Sequence, residues 1–106
     1  MAEKEQQIQE MQMLEQNLHN TLLQKQAFQM ELSESEAAQK EVSKSDDDVF
    51  KIIGQLMIKT KKADIEKELE EKKKLVELRM KTLEKQEKSL MGQLDKLREE
   101  VMKKGK

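Results

Sequence analysis

The sequence predicts an all-α dominated fold, a long antiparallel coiled-coil hairpin of two helices joined by one central β-hairpin. Three observations predict it. Apolar residues recur at heptad spacing in two arms, which run from about residue 5 to 44 and from about 61 to 104. The two arms have nearly equal length, so a reversal between them would lay them side by side. A segment with strand character, 49–60, interrupts the heptads at the middle of the chain.

The composition of the 106 residues excludes several classes of protein. Charged residues make up 41% of the chain and aromatic residues 2%, and proline, tryptophan, tyrosine and cysteine are absent. Two phenylalanines cannot anchor a sizeable globular core, whereas this mixture with helical periodicity is typical of long helices. Apolar residues recur too regularly for a disordered chain. The formal net charge of −1 provides no field that would attract nucleic acid or an anionic membrane.

The sequence also predicts where the protein resides and what chemistry it lacks. Without cysteine there is no disulfide framework or thiolate, and the beginning of the chain has no apolar run typical of a signal peptide. No run of about 18 apolar residues could span a bilayer. We therefore expect a soluble cytoplasmic protein of one domain, residues 1–106, that is not an enzyme and holds no metal or cofactor.

The first arm carries a heptad seam with several polar positions. Two sets of residues, each spaced by seven, form its a and d positions: Met11, Leu18, Lys25, Leu32 and Gln39, and then Leu14, Thr21, Phe28, Ser35 and Val42. The seam stops at the charged, serine-bearing segment 43–48, whose composition suits a loop.

The central segment predicts a β-hairpin that takes part in assembly. Val49–Ile53 and Leu56–Thr60 are rich in β-branched residues, and Gly54-Gln55 between them fits a two-residue type II′ turn. Both faces are apolar, and a lone two-stranded hairpin is only marginally stable in water. We therefore expect it to join strands of other subunits, through Val49, Phe50, Ile52, Ile53, Gly54, Leu56, Met57 and Ile58.

The second arm repeats the heptads more strongly. Its two sets are Leu69, Val76, Leu83, Leu90 and Leu97, and then Lys73, Met80, Glu87, Leu94 and Val101. If the hairpin reverses the chain, residues whose numbers sum to about 107 face each other, and Leu18 lies near Leu90. Both chain ends would then meet at one tip.

The order helix, "DDDVFKIIGQLMIK", helix "KADIEKELEEKKKLVELRMKTLEKQE" resembles the β-type subunit of prefoldin of the archaeal type, over nearly the whole chain. Two further stretches carry the resemblance, Gln24-Lys25-Gln26 and the run from Thr82 to Glu87. The single hairpin favours the β type over the α type. Phe50 stands where tyrosine is commoner in the family.

The resemblance implies a hexamer of two α-type and four β-type subunits, whose hairpins form an intersubunit β-barrel. It implies an ATP-independent holdase that captures non-native proteins at its coiled-coil tips and delivers them to a group II chaperonin. Neither nucleic acid nor membrane is expected as a partner.

Apolar residues near both chain ends form the predicted client-binding tip: Ile8, Met11, Met13, Leu14, Met91, Leu94, Leu97, Val101 and Met102. Methionine suits surfaces that bind many partners, and four of these residues (Ile8, Met13, Met91 and Met102) lie off the seam. The residues alone leave open that the methionines are tolerated helix formers, and that the chain is a coiled-coil scaffold or spacer without clients. The sequence assigns no role to five other off-seam residues: Leu22, Leu23, Met30, Leu75 and Leu78.

Overall fold

The structure, a computed structural model, describes residues 2–46 and 48–104. In chain order it contains α1 (Ala2–Lys44), β1 (Val49–Ile53), β2 (Leu56–Thr60) and α2 (Lys62–Lys104). The predicted fold class of two long helices with one hairpin between them is thereby confirmed. Within the described residues, neither helix has a stretch apolar and long enough to cross a membrane.

The chain divides into two compact units. Among the described residues, the terminal unit contains those up to Ala27 and those from Met80 onwards, and the hairpin unit is Phe28–Arg79. That residues 1–106 form one domain stays a prediction. Met1, Asp47, Gly105 and Lys106 lie outside the described residues. The loop predicted at 43–48 begins two residues later than expected, because α1 continues to Lys44.

Helix formation follows from composition and from the way the ends are satisfied. Each helix is 43 residues long and contains no proline, and residues such as Leu, Met, Glu, Gln and Lys favour the helix. At the end of α1, the Nζ of Lys62 donates hydrogen bonds to the carbonyl oxygens of Ser43 and Ser45, at 3.2 and 2.9 Å. This ammonium group supplies a donor where the last carbonyls of a helix have no intrahelical partner. At the start of α2, Asp64 places a negative charge in the first turn, where the helix dipole favours it.

The predicted a and d positions form the seam in each unit. In the hairpin unit, Val76 is 2% exposed and Ser35 is also buried. Ile65 is buried as well, although it is not one of the predicted a and d residues. In the terminal unit, Leu83, Leu94 and Thr21 are buried, while the neighbouring seam leucines are half-buried. The buried hydrophobic residues of the described chain are only Ile65, Val76, Leu83 and Leu94, so each unit has a thin core that is one row of side chains wide.

The β-hairpin has the predicted register and turn. β1 and β2 pair antiparallel from Ile53 opposite Leu56 to Val49 opposite Thr60. Gly54 has a φ of 61°, and every described residue that is not glycine has a negative φ. A positive φ at the first turn position alone is what a type II′ turn requires.

Candidate functional site

The predicted tip residues all lie in the terminal unit, and they divide into two groups. Those off the seam are exposed; Met13 and Met102 are the most open of them, at 67% and 72%. Those on the seam are buried or half-buried: Met11, Leu14, Leu94, Leu97 and Val101. The off-seam group is therefore available to a partner, whereas the seam group holds the two helices together.

The helical period places the exposed residues on two sides of the terminal unit. Arg98 of α2 forms an ion pair with Glu15 of α1 at 3.5 Å, which marks one side. Ile8 lies seven residues before Glu15 and Met91 seven before Arg98, so both belong to that side. Met13 lies on the opposite side, where the structure forms a groove. The predicted tip is thus two apolar surfaces separated by the seam.

The groove on the Met13 side has a volume of about 450 Å³ and is open to solvent. Met13, Leu14 and Leu97 form its apolar part, and three charged residues lie at its margin, Glu10, Lys96 and Glu100. Three of the predicted tip residues are therefore brought together here, whereas Ile8, Met91 and Met102 do not line this groove. An open groove of this kind can accept an apolar side chain, but it does not enclose a small ligand.

Two polar pairs join the helices of the terminal unit at seam positions. The Nζ of Lys25 lies 2.9 Å from a carboxylate oxygen of Glu87, and both side chains are half-buried. The hydrogen bond to Glu87 raises the pKa of Lys25, burial lowers it by a smaller amount, and the charges of Glu87 and Glu84 raise it further. Nearer the chain ends, Gln7 donates to Glu100 at 3.3 Å.

Gln7 leaves the seam incompletely satisfied near the chain ends. Its side chain is buried, and its Oε1 has no hydrogen-bond partner among the described protein groups. A buried acceptor without a partner costs about 1–3 kcal/mol. The helices are therefore held less firmly at this level than at Leu83 or Leu94.

The hairpin surface is apolar on both faces. One face carries Phe50, Ile52 and Met57, and the other carries Val49, Ile53, Leu56 and Ile58. All of these except Val49 are exposed, and Ile52 is 70% exposed. Within the described residues the sheet contains only these two strands, so both outer edges are open to pairing.

An ion pair ties the hairpin to α2 within the hairpin unit. Lys51 of β1 and Glu68 of α2 are joined at 2.9 Å. Lys51 shares its face with Val49 and Ile58, which are the less exposed apolar residues of the hairpin. One face is thus partly directed to the chain's own helix, and the Ile52 face is left uncovered.

Sequence reasoning missed a second groove, lined mostly by amide side chains. It lies on the same side as the first groove and is lined by Asn17, Asn20, Thr21, Gln24, Gln86, Ser89 and Leu90. The signal was available, since these polar residues flank the seam at the same heptad positions as Met13 and Gln93. Within the described residues, no cluster of side chains could hold a metal ion.

Comparison with known proteins gives consistent similarities. A family profile described as prefoldin subunit matches residues 5–106. The prefoldin subunit beta of Pyrobaculum aerophilum is 42% identical over 88 residues, which cover 81% of this chain and 70% of that protein. The corresponding protein of Saccharolobus islandicus is 37% identical over 97 residues, covering 90% of this chain and 77% of that protein.

Solved structures show the same similarity. The crystal structure of the prefoldin beta subunit from Thermococcus strain KS-1 matches with a TM-score of 0.89 and 32% identity, covering 95% of this chain and 90% of that chain. The beta2 subunit of the same strain matches with a TM-score of 0.73 and covers 82% of this chain and 95% of that chain. At 20% identity, this second match supports the fold alone.

Proposed function

This chain belongs to the prefoldin subunit family, and from that premise we propose that it is a β-type chaperone subunit that captures non-native proteins at its terminal unit. It acts in the cytoplasm without ATP, a cofactor or a catalysed reaction, and it delivers its clients to a group II chaperonin. The observation that carries this proposal is the exposure of Met13 and Met102 outside the seam. A coiled-coil spacer would need no such residues.

Capture by this surface depends on apolar burial. Fully burying a methionine side chain contributes about 1.5–3 kcal/mol. Association of two molecules costs about 4–15 kcal/mol in lost freedom, so the few residues of one terminal unit cannot hold a client alone. Several subunits acting on one client would make the later contacts intramolecular and raise the avidity. The mechanism therefore requires assembly.

The hairpin is the proposed means of assembly. Its two apolar faces and two open edges fit strands from neighbouring subunits, which would cover Ile52 and Met57. We propose that hairpins of four β-type and two α-type subunits form the shared β-barrel. Non-native polypeptides and the chaperonin then meet the complex through the helices.

The test replaces exposed methionines in the terminal unit without altering the helix. A Met13→Gln and Met102→Gln double variant keeps side-chain length and helix propensity but removes the apolar character. Once it is assembled with an α-type prefoldin subunit, we expect it to protect a denatured protein against aggregation several-fold less well than the unsubstituted chain. Light scattering measures the protection, and sedimentation checks the assembly.

The hairpin unit offers a matched control. Met30 and Leu78 are 66% and 62% exposed, close to the values of the two tested residues. A Met30→Gln and Leu78→Gln variant loses a similar exposed apolar area, so we expect it to protect as well as the unsubstituted chain. If both double variants lose protection equally, capture depends on exposed apolar residues anywhere on the helices and not on the terminal unit. Full protection by both would favour the scaffold.

A further inference from the structure

The apolar capture proposed above does not involve the amide-lined groove of the terminal unit. Its walls are formed by Asn17, Asn20, Gln24, Gln86 and Ser89, and seam residues lie between them. None of the lining residues is charged, although charged residues make up 41% of the chain. The groove has a volume of about 440 Å³ and shares Asn17 with the apolar groove that contains Met13.

The two helices bring these amides together by a defined register. Gln24 precedes Lys25 and Gln86 precedes Glu87, and the ion pair between Lys25 and Glu87 at 2.9 Å holds the two segments side by side. These segments are two of the stretches that carry the family resemblance. Asn17 lies seven residues before Gln24, so the helical period continues the amide row towards Met13.

The amide groups of this groove are available for hydrogen bonds. Within the described residues, the side chains of Asn17, Gln24 and Gln86 make no hydrogen bond to another protein group, and all three are exposed. Asn20 accepts one bond, from Gln16 at 3.3 Å, and its own amide hydrogens stay available. Each carboxamide can both donate and accept, which a carboxylate or an ammonium group cannot do.

An extended polypeptide main chain matches this chemistry. It offers one N–H donor and one carbonyl acceptor at every residue except proline, whatever its sequence. In a native protein most of these groups are already paired, whereas a non-native segment leaves them accessible. A phosphate ligand is disfavoured, because the amide groove contains no cationic side chain.

We propose that the amide groove binds the main chain of an extended non-native segment while the adjoining Met13 groove receives an apolar side chain of the same segment. This inference rests on the proposed function and adds the part of the client that is recognised. Recognition of the main chain is independent of sequence, and the apolar groove adds the requirement for an exposed hydrophobic residue. A second copy of the chain lying in the groove is the competing occupant.

The test asks whether making the groove more apolar weakens or strengthens the binding of a peptide. A Gln24→Met and Gln86→Met variant makes the groove more apolar while it keeps the side-chain length and removes two amides. The probe is a fluorescent synthetic peptide of alternating leucine and serine, compared with an analogue methylated at alternate backbone nitrogens. We expect the double variant, assembled with an α-type subunit, to bind the unmethylated peptide roughly tenfold more weakly, which corresponds to the loss of two net hydrogen bonds.

The controls separate the outcomes. The unsubstituted chain is expected to bind the methylated analogue about as weakly, and the Gln24→Met and Gln86→Met variant should no longer distinguish the two peptides. A Gln9→Met and Gln12→Met variant carries the same change outside both grooves, and we expect normal affinity. Equal or tighter peptide binding by the groove variant would overturn the inference.

Two further results would also decide against the main-chain site. Altered self-association of the groove variant in sedimentation, with peptide affinity unchanged, would assign the groove to a second copy. Loss of binding in the Met13→Gln and Met102→Gln variant alone would leave the proposed function standing without the amide groove. If the unsubstituted complex binds neither peptide nor denatured protein, the proposed function itself fails.

Discussion

Two glycines of this chain should respond to the same substitution with opposite signs. Gly54 has a φ of 61° at the hairpin turn, whereas Gly92 lies inside α2. Among the described residues, a Cβ atom at either position would meet no heavy atom within 4 Å outside its own local backbone. Steric clash with neighbouring elements is therefore excluded as a cause at both sites, and only the backbone conformation distinguishes them.

The magnitudes follow from that conformation. Alanine at Gly54 must adopt a φ that L-residues disfavour, which costs about 1–3 kcal/mol. Reduced freedom of the unfolded chain offsets about 0.4–1 kcal/mol of this cost, so we expect Gly54→Ala to lower the free energy of unfolding by about 1–2 kcal/mol. At Gly92 the backbone is helical, and alanine is favoured over glycine there by about 0.5–1 kcal/mol.

The assay is urea unfolding followed by circular dichroism, at one fixed protein concentration because assembly shifts the apparent stability. Gly54→Ala should unfold at lower urea concentration than the unsubstituted chain, and Gly92→Ala at higher concentration. A Gly54→Ala chain of unchanged or greater stability would refute the left-handed turn. Destabilisation by Gly92→Ala would contradict a helical and unobstructed backbone at that residue.

Two further predictions concern assembly and pH. Replacing Ile52 and Ile58 with lysine puts charge on both hairpin faces. We expect sedimentation to show loss of the oligomer, while circular dichroism still reports helix. An unchanged oligomer would contradict assembly through the hairpin. Because the pKa of Lys25 is raised, its contribution to stability is complete below the ordinary lysine value of 10.5 and is lost as the pH rises through the higher folded-state value. Unfolding at a series of alkaline pH values should therefore show a smaller loss of stability for Lys25→Met than for the unsubstituted chain, and equal losses would argue against the pair with Glu87.

The elements that the sequence predicted correctly depend on local geometry. The heptad seam from Met11 to Val101 follows from the helical period and apolarity, and the Gly54 turn follows from the φ that glycine permits. The partners of long polar side chains were not predictable in this way. Lys25 and Glu87 were identified only as polar seam positions, because their pairing depends on the axial register between the two helices. The amide groove depends on the same register.

The thin core connects stability to the proposed function. Among its described residues, the terminal unit buries two leucines, Leu83 and Leu94, and it places polar side chains in the same seam, including Thr21 and Gln7. The free energy gained by burying so little apolar area in two isolated helices barely exceeds the entropic cost of ordering the chain. In the proposed assembly, another subunit covers Ile52 and its neighbours and so supplies the missing apolar area, and we therefore expect assembly to stabilise the fold.

A loosely held seam is then useful at the chain ends. Segments that bind or release partners belong to the less stable parts of a structure, because local opening there costs little. The unpaired buried oxygen of Gln7 weakens the seam at its level, and Gly92 lowers the helix propensity of α2 near Leu94. A non-native segment that offers a hydrogen-bond donor and an apolar side chain can therefore compete with the contacts between the two helices. In the proposed mechanism, capture requires little energy at the tip, because we expect the assembled hairpins, and not the tip, to stabilise the complex.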